Sequence, residues 1–370
     1  MTSTSSLFPG FSTPGIDRVW SAESRVRAML RFEEALALAL ADVGVAPREE
    51  AEATAGACRT ATPDPEAVLE ATWKRGTPVV ALLEAVGERP WLHYGATTQD
   101  TVDTAHMLLA RQSLDLLDEE IVGVCRALVG ICDDHRDQPH VARTFLVAAQ
   151  PTTFGRRAAG WLDPLLEHLE GIRRARRGLA VQLGGPVGDR TAYGEAAFAV
   201  VAAMADRLGL SPTPVAWHAD RSRIWNLVEA VAAPVRSTAK IAHDLTLLAG
   251  LGEVTMRAGG SSSMAGKQNP IDAMRALAAA EAFRGAAAMI TGAAPGELDR
   301  GLGSWHVEWF ALPLVFGTAS AVFEATTAAL ESLQVDAEVM AAAVPTGAEL
   351  PDGADVDAVV ARFDRLVGGP

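Results

Sequence analysis

The stretch DTVDTAHMLLARQSLDLLDEEIVGVCRALVGICDDH, residues 100–135, contains no proline and only two isolated glycines, Gly123 and Gly130. Asp100 is a natural helix cap. Asp103 would then lie in the first turn, where a carboxylate meets the positive end of the helix dipole. A single helix over this range is about 50 Å long at the α-helical rise. Helices of that length suit an elongated bundle with near-parallel packing rather than short helices crossing at steep angles. Four more long helical segments are expected at 154–181, 221–255, 270–290 and 306–333, with a kink at Pro234 in the third. Residues 227–249 are apolar on most sides, which implies burial between several helices and makes association of subunits an expected outcome.

Outside these segments the pattern stays helical. Alanine is abundant, alternating runs are scarce and only 2 of the 370 residues are tyrosine. Ser21 should cap a helix to about residue 41 with Val26, Met29, Leu30, Leu36 and Leu40 on its apolar side, ended by Gly44 and Pro47. Asp64-Pro65 reads as an N-cap followed by a first helical residue, and Thr77-Pro78 repeats that logic. The expected fold class is therefore all-α: a small N-terminal helical domain (1–95), a central long-helix bundle (96–335) and a short C-terminal remnant (336–370).

Composition limits the function. The chain is 49% hydrophobic and 21% charged, with a net charge of −14. Nothing in that balance would neutralise many phosphates, so nucleic acid is not an expected partner. No uninterrupted apolar run approaches the roughly 18–20 residues of a membrane span. Residues 1–10 lack the basic and apolar regions of a signal peptide, and Cys58, Cys125 and Cys132 form neither a metal spacing nor a disulfide framework. A cytoplasmic protein with buried thiols is expected.

The segment Gly259-Gly260-Ser261-Ser262-Ser263-Met264-Ala265-Gly266-Lys267-Gln268-Asn269-Pro270 carries the clearest chemistry. Asn269 is a natural N-cap with Pro270 as first helical residue, so unpaired N–H groups and a positive dipole end face the loop. With the charge of Lys267, this arrangement would stabilise a carboxylate, or the extra negative charge that grows on one when the adjacent carbon loses a proton. A serine beside such a site can act as a base.

This segment resembles the G-S-S-x-M-P-x-K-x-N signature of the aspartase/fumarase superfamily, with Ala265 in place of the usual proline. Five further blocks narrow the resemblance to the branch of bacterial 3-carboxy-cis,cis-muconate cycloisomerases. They are Trp91 to Ala105, Arg143-Thr144 with Pro151 to Gly155, Gln182 to Gly185, Trp217 to Arg223, and Arg300 followed by Trp305 to Trp309. The resemblance implies a homotetramer whose active sites are assembled from several subunits, with no metal or organic cofactor. It also implies addition or elimination across a carbon–carbon bond beside a carboxylate. In the cycloisomerase, an internal carboxylate of a tricarboxylate closes a lactone.

The resemblance further implies roles for individual residues. Ser261 matches the loop base, with Ser262 the second choice. Lys267 and Asn269 match carboxylate-binding positions, and Thr97 and Thr98 match substrate-binding hydroxyls. Arg221 and Arg300 match substrate-side positions; for each arginine a structural ion pair between helices is the competing reading. His93 and His218 lie in matching blocks. Trp305 and Trp309 are read as core packing. Two departures stand out. The T-H-x-Q of many relatives is Thr144-Phe145-Leu146-Val147 here, leaving Gln150 as the nearest amide, and Ala265-Gly266 replaces Pro-His. These changes keep two alternatives in play: a carbon–nitrogen lyase that releases fumarate from a succinyl-type di- or tricarboxylate, and a non-catalytic structural relative.

Overall fold

The computed structural model describes residues 10–260, 264, 267–294 and 296–368. It is built almost wholly of helices. Five of these precede the bundle: α1 (Pro14–Val19), α2 (Ala22–Asp42), α3 (Arg48–Thr60), α4 (Pro65–Arg75) and α5 (Val79–Val86). The bundle itself comprises α6 (Thr98–Asp134), α7 (Phe154–Arg177), α9 (Ser222–Gly250), α10 (Ile271–Thr291) and α11 (Ser304–Glu331), with α8 (Ala197–Leu208) between α7 and α9. The short α12 (Ala337–Ala342) and the 14-residue α13 (Ala354–Val367) close the chain.

Capping follows local chemistry at two predicted places. Ser21 accepts from the Ser24 N–H, and Asp64 accepts from the N–H groups of Glu66 and Ala67. At two others the helix starts elsewhere. α6 begins at Thr98, with Thr97 as N-cap, because the Asp100 carboxylate reaches back to the Thr97 N–H at 3.0 Å. α10 begins at Ile271: Asn269 pairs with Gly259 in a two-residue ladder and Pro270 takes the cap position.

The starts of α6, α9 and α11 lie together, since Arg221, the residue before α9, bonds Asp103 of α6 and Glu308 of α11. Their far ends also lie together. The strand after α9, β3 (Val254–Thr255), pairs with the strand after α11, β6 (Gln334–Val335), and Arg143 beyond α6 pairs with Glu253. These three helices therefore run parallel, and α7 and α10 return between them. A hairpin of β1 (Pro139–Thr144) and β2 (Val147–Thr153) extends from the far end, and β4 (Ala258–Gly259) with β5 (Asn269–Pro270) brackets the signature loop there.

One cluster of buried apolar side chains extends from Ile16 to Phe363. α11 is its central member. By length and composition it could cross a membrane, with a mean hydropathy of 1.3, but 72% of that window is buried inside the bundle. Its apolar surround reflects helices on several sides.

Ahead of α1, Thr13 is tied into the bundle by a side-chain network. The hydroxyls of Thr13 and Ser320 are 2.7 Å apart, and Ser320 donates to Glu120 Oε1 at 2.5 Å. Burial pushes the Glu120 carboxyl up to about 7 against the pull of the Ser320 bond, with Glu324 and Glu119 adding to the rise. A carboxyl raised in the folded state contributes stability that fades as pH rises from its ordinary value through 7. Glu120→Gln keeps the Ser320 bond and removes the buried charge. It should raise stability at pH 8 by about 2 kcal/mol relative to its effect at pH 5.5, read from urea midpoints at the two pH values.

Candidate active site

The start of α6 is organised by one buried carboxylate. Asp100 is fully buried and accepts four hydrogen bonds: from the N–H groups of Thr97 (3.0 Å), Gly184 (2.8 Å) and Gly185 (2.8 Å), and from His218 Nε2 (2.7 Å). A buried charge persists only when it is bonded in this way. Gly95, in the turn that leads into α6, has φ +66°, and a Cβ there would lie 2.6 Å from the Ala192 Cβ. Only glycine fits that approach.

With His218 bonded to the hub itself, the structure gathers four more of the residues singled out from the sequence around it. Arg300 donates from one guanidinium nitrogen to Thr97 Oγ1 and from another to the Pro186 carbonyl, both at 3.0 Å. Thr98 lies 3.4 Å from the Thr77 hydroxyl. His93 bonds Glu33, a residue the sequence reading missed, through Nδ1 at 2.8 Å. The available signal was a glutamate within the apolar stripe of α2. Thr97, Arg300 and His93 are all partly exposed, so an anion approaching this end would meet a guanidinium, an imidazole and two hydroxyls.

Arg221 lies deeper at the same end. It is buried, and its donors are taken by Asp103 (2.8 and 3.0 Å), by Glu308 (2.8 and 2.5 Å) and by the Trp217 carbonyl (3.3 Å). The expectation that it grips substrate is corrected: within this chain it is the ion pair between helices. Burial acts to raise Asp103, but the Arg221 charge and bonds hold its carboxyl below the ordinary range. Trp305 also donates to Asp103 at 2.8 Å and meets Trp309 edge-on at 4.8 Å, so both tryptophans are packing residues.

Lys267, Asn269 and Gln150 lie at the opposite end of the bundle. Lys267 is exposed, and Asn269 sits in the β4–β5 ladder. Ser261 and Ser262 fall outside the described residues. Gln150 is exposed on β2. The hairpin turn beside it consists of Phe145 (φ +52°) and Leu146 (φ +64°), with Phe145 100% and Val147 67% exposed. Two bulky residues in the left-handed region are strained. The 29 residues of α9 separate the two ends by about 40 Å. Among the described residues, no group of three or more His, Cys, Asp and Glu side chains could hold a metal ion.

Arg221→Leu should destabilise the fold by about 3–5 kcal/mol, because two buried carboxylates lose their counter-charge. Urea unfolding would measure this. In the folded fraction, KM for any substrate should change little.

A protein-family profile described as lyase matches residues 10–292. The chain is 35% identical to the 3-carboxy-cis,cis-muconate cycloisomerase of Pseudomonas aeruginosa over 338 residues, covering 87% of this chain and 74% of that one. It is 34% identical to the nitrosuccinate lyase of Streptomyces davaonensis, covering 88% and 73%. The crystal structure of the 3-carboxy-cis,cis-muconate lactonizing enzyme from Pseudomonas putida superimposes with a TM-score of 0.83 at 31% identity, covering 90% of this chain and 77% of that one.

Proposed function

The chain belongs to the lyase family of the aspartase/fumarase superfamily, and from that premise we propose that it converts 3-carboxy-cis,cis-muconate to a lactone at sites shared between the subunits of a homotetramer. An oxygen of the substrate's own carboxylate bonds to an alkene carbon. The π pair moves to the neighbouring carbon and is delocalised into the carboxylate it carries, giving a dianion. A proton then joins that carbon. In the reverse, eliminating direction Ser261 removes this proton; in the lactonising direction the same hydroxyl returns it. Lys267 and Asn269 hold the dianion's oxygens by charge and hydrogen bonding. Thr97, Thr98, Arg300 and His93 hold another carboxylate, and Gln150 supplies an amide near the hairpin.

The observation that carries the shared site is the separation along the bundle. His93, Thr97 and Arg300 lie where α6 begins, while Lys267 and Asn269 lie beyond the end of α9. A small carboxylate cannot touch both ends of one subunit, but two copies packed antiparallel would bring opposite ends together. In this reading the active molecule is cytoplasmic, consistent with three buried, unpaired cysteines. Residues 1–95 then act as the domain that shapes one wall of the site.

A second reading is carbon–nitrogen cleavage with release of fumarate from an amino- or nitrosuccinate. It is favoured by the apolar tip Phe145-Leu146-Val147, where many superfamily members carry histidine and glutamine, and by the similarity to a nitrosuccinate lyase.

Ultraviolet assays across di- and tricarboxylates decide between the two. Loss of the conjugated diene from 3-carboxy-cis,cis-muconate supports the first, and fumarate appearing from a succinyl substrate with no reaction on the muconate supports the second. Arg300→Gln should lower kcat/KM by about 10- to 100-fold. Mixing Thr97→Val with Lys267→Met protein should restore activity that neither has alone. Light scattering that gives a monomer at micromolar concentration would defeat the shared site.

A further inference from the structure

Glu33 has no place in the reaction as proposed, yet it is fully buried on the apolar side of α2, beside Phe32 and Leu36. Three donors converge on its carboxylate. Oε2 accepts from the His93 N–H at 3.0 Å, and Oε1 accepts from the Thr101 hydroxyl at 3.0 Å and meets His93 Nδ1 at 2.8 Å. The backbone of His93 is held at φ +54°, a conformation a non-glycine residue adopts only when its surroundings require it. That conformation directs the N–H and the ring of one residue at the same carboxylate.

The arrangement fixes the tautomer. Opposite a carboxylate, Nδ1 carries a proton, so Nε2 is the nitrogen that changes: an acceptor in the neutral ring and a donor in the charged one. Nε2 has no hydrogen-bond partner among the described residues, and the side chain is 19% exposed. His93 stands four residues before Thr97, whose hydroxyl holds Arg300.

We propose, resting on the activity proposed above, that Glu33 is the positioning residue that holds His93 as an imidazolium whose Nε2–H binds a carboxylate of the substrate. With Arg300, this places two cations at one end of the bundle and selects a substrate with more than one carboxylate.

The surroundings agree. Burial alone would lower the His93 imidazole, but the charge and hydrogen bond of Glu33, with Asp100 at the α6 start, raise it above its ordinary value. Three further titratable groups lie near the pair. The Cys58 thiol on α3 is pushed up to about 12 by burial and then by Glu33 and Glu34. Tyr193 is raised by burial and by Asp100 and Glu33, and donates its hydroxyl to the Tyr94 carbonyl. Glu50 of α3 is engaged by the Trp91 indole at 2.8 Å.

Histidine-labelled protein followed by NMR, with His93→Gln to assign the resonance, tests the inference without turnover. His93 should titrate above pH 6.5 in the native protein. Glu33→Gln should lower that midpoint by about one unit or more. Citrate, an unreactive tricarboxylate, should raise it further in the native protein and much less in the variant. With 3-carboxy-cis,cis-muconate, KM should rise about tenfold in Glu33→Gln and His93→Gln with a smaller change in kcat, and native KM should rise at alkaline pH in step with the His93 titration.

A His93 midpoint at or below 6.5, or one that neither Glu33→Gln nor citrate moves, overturns the proposal. Should Glu33→Gln not fold, Glu33→Asp, which keeps the charge on a shorter arm, should lower the midpoint by a smaller amount, and an unmoved midpoint counts against the proposal. A citrate-dependent shift without turnover of the muconate leaves this inference standing and rejects the choice of substrate.

Discussion

A carboxylate removed from water needs a donor for nearly every lone pair, and Asp100 meets that requirement with donors from three separate parts of the chain. The same bonds set where α6 begins, how the Gly184-Gly185 turn lies against it and how His218 is oriented. Thr97, Arg300 and the Pro186 carbonyl are positioned as a consequence, because each is attached to one of the segments the carboxylate draws together. The polar end of the bundle is thus an arrangement of loops anchored on a single buried charge.

Beneath it, Arg221 performs a related task for the helices. Its bonds to Asp103 and Glu308 align the first turns of α6, α9 and α11. Parallel long helices that start together bring their far ends together as well, and so Lys267, Asn269 and the hairpin lie a helix length away from the Thr97 cluster. The division of the proposed site between subunits follows from that geometry. A bundle of shorter helices would allow both sets of residues to meet within one chain.

The hairpin turn carries little polar chemistry at its tip. The ladder from Pro139 to Thr153 is broken only by a register shift between Val141 and Arg143, and its tip presents Phe145, Leu146 and Val147 to the outside. Apolar side chains in place of a histidine and an amide cannot exchange protons or hold a carboxylate. In the proposed reaction, proton delivery therefore rests with the signature loop, and polar recognition is divided between Lys267, Asn269 and Gln150 at that end and His93 and Arg300 at the other.

Much of the fold was legible in the residues themselves. Long proline-free runs, the Ser21 and Asp64 caps and scarce alternation are local properties, and local hydrogen bonding is enough to express them. Helix starts were misplaced where a residue had a partner outside its own helix: the Asp100 carboxylate bonds the Gly184 N–H, and the Asn269 backbone pairs with Gly259 in the strand before the loop. The hairpin at 139–153 left no clear trace, because Phe145-Leu146 lacks the Asn-Gly chemistry that marks such turns. For the site, the order of amino acids alone tells which residue types are present and which family they point to. What each one faces is set by the packing of the chain. Arg221 meets carboxylates 118 and 87 residues away, and His93 meets one 60 residues away. A guanidinium or an imidazole is chemically the same whether its anion is substrate or protein, so only the packing of distant helices assigns the partner.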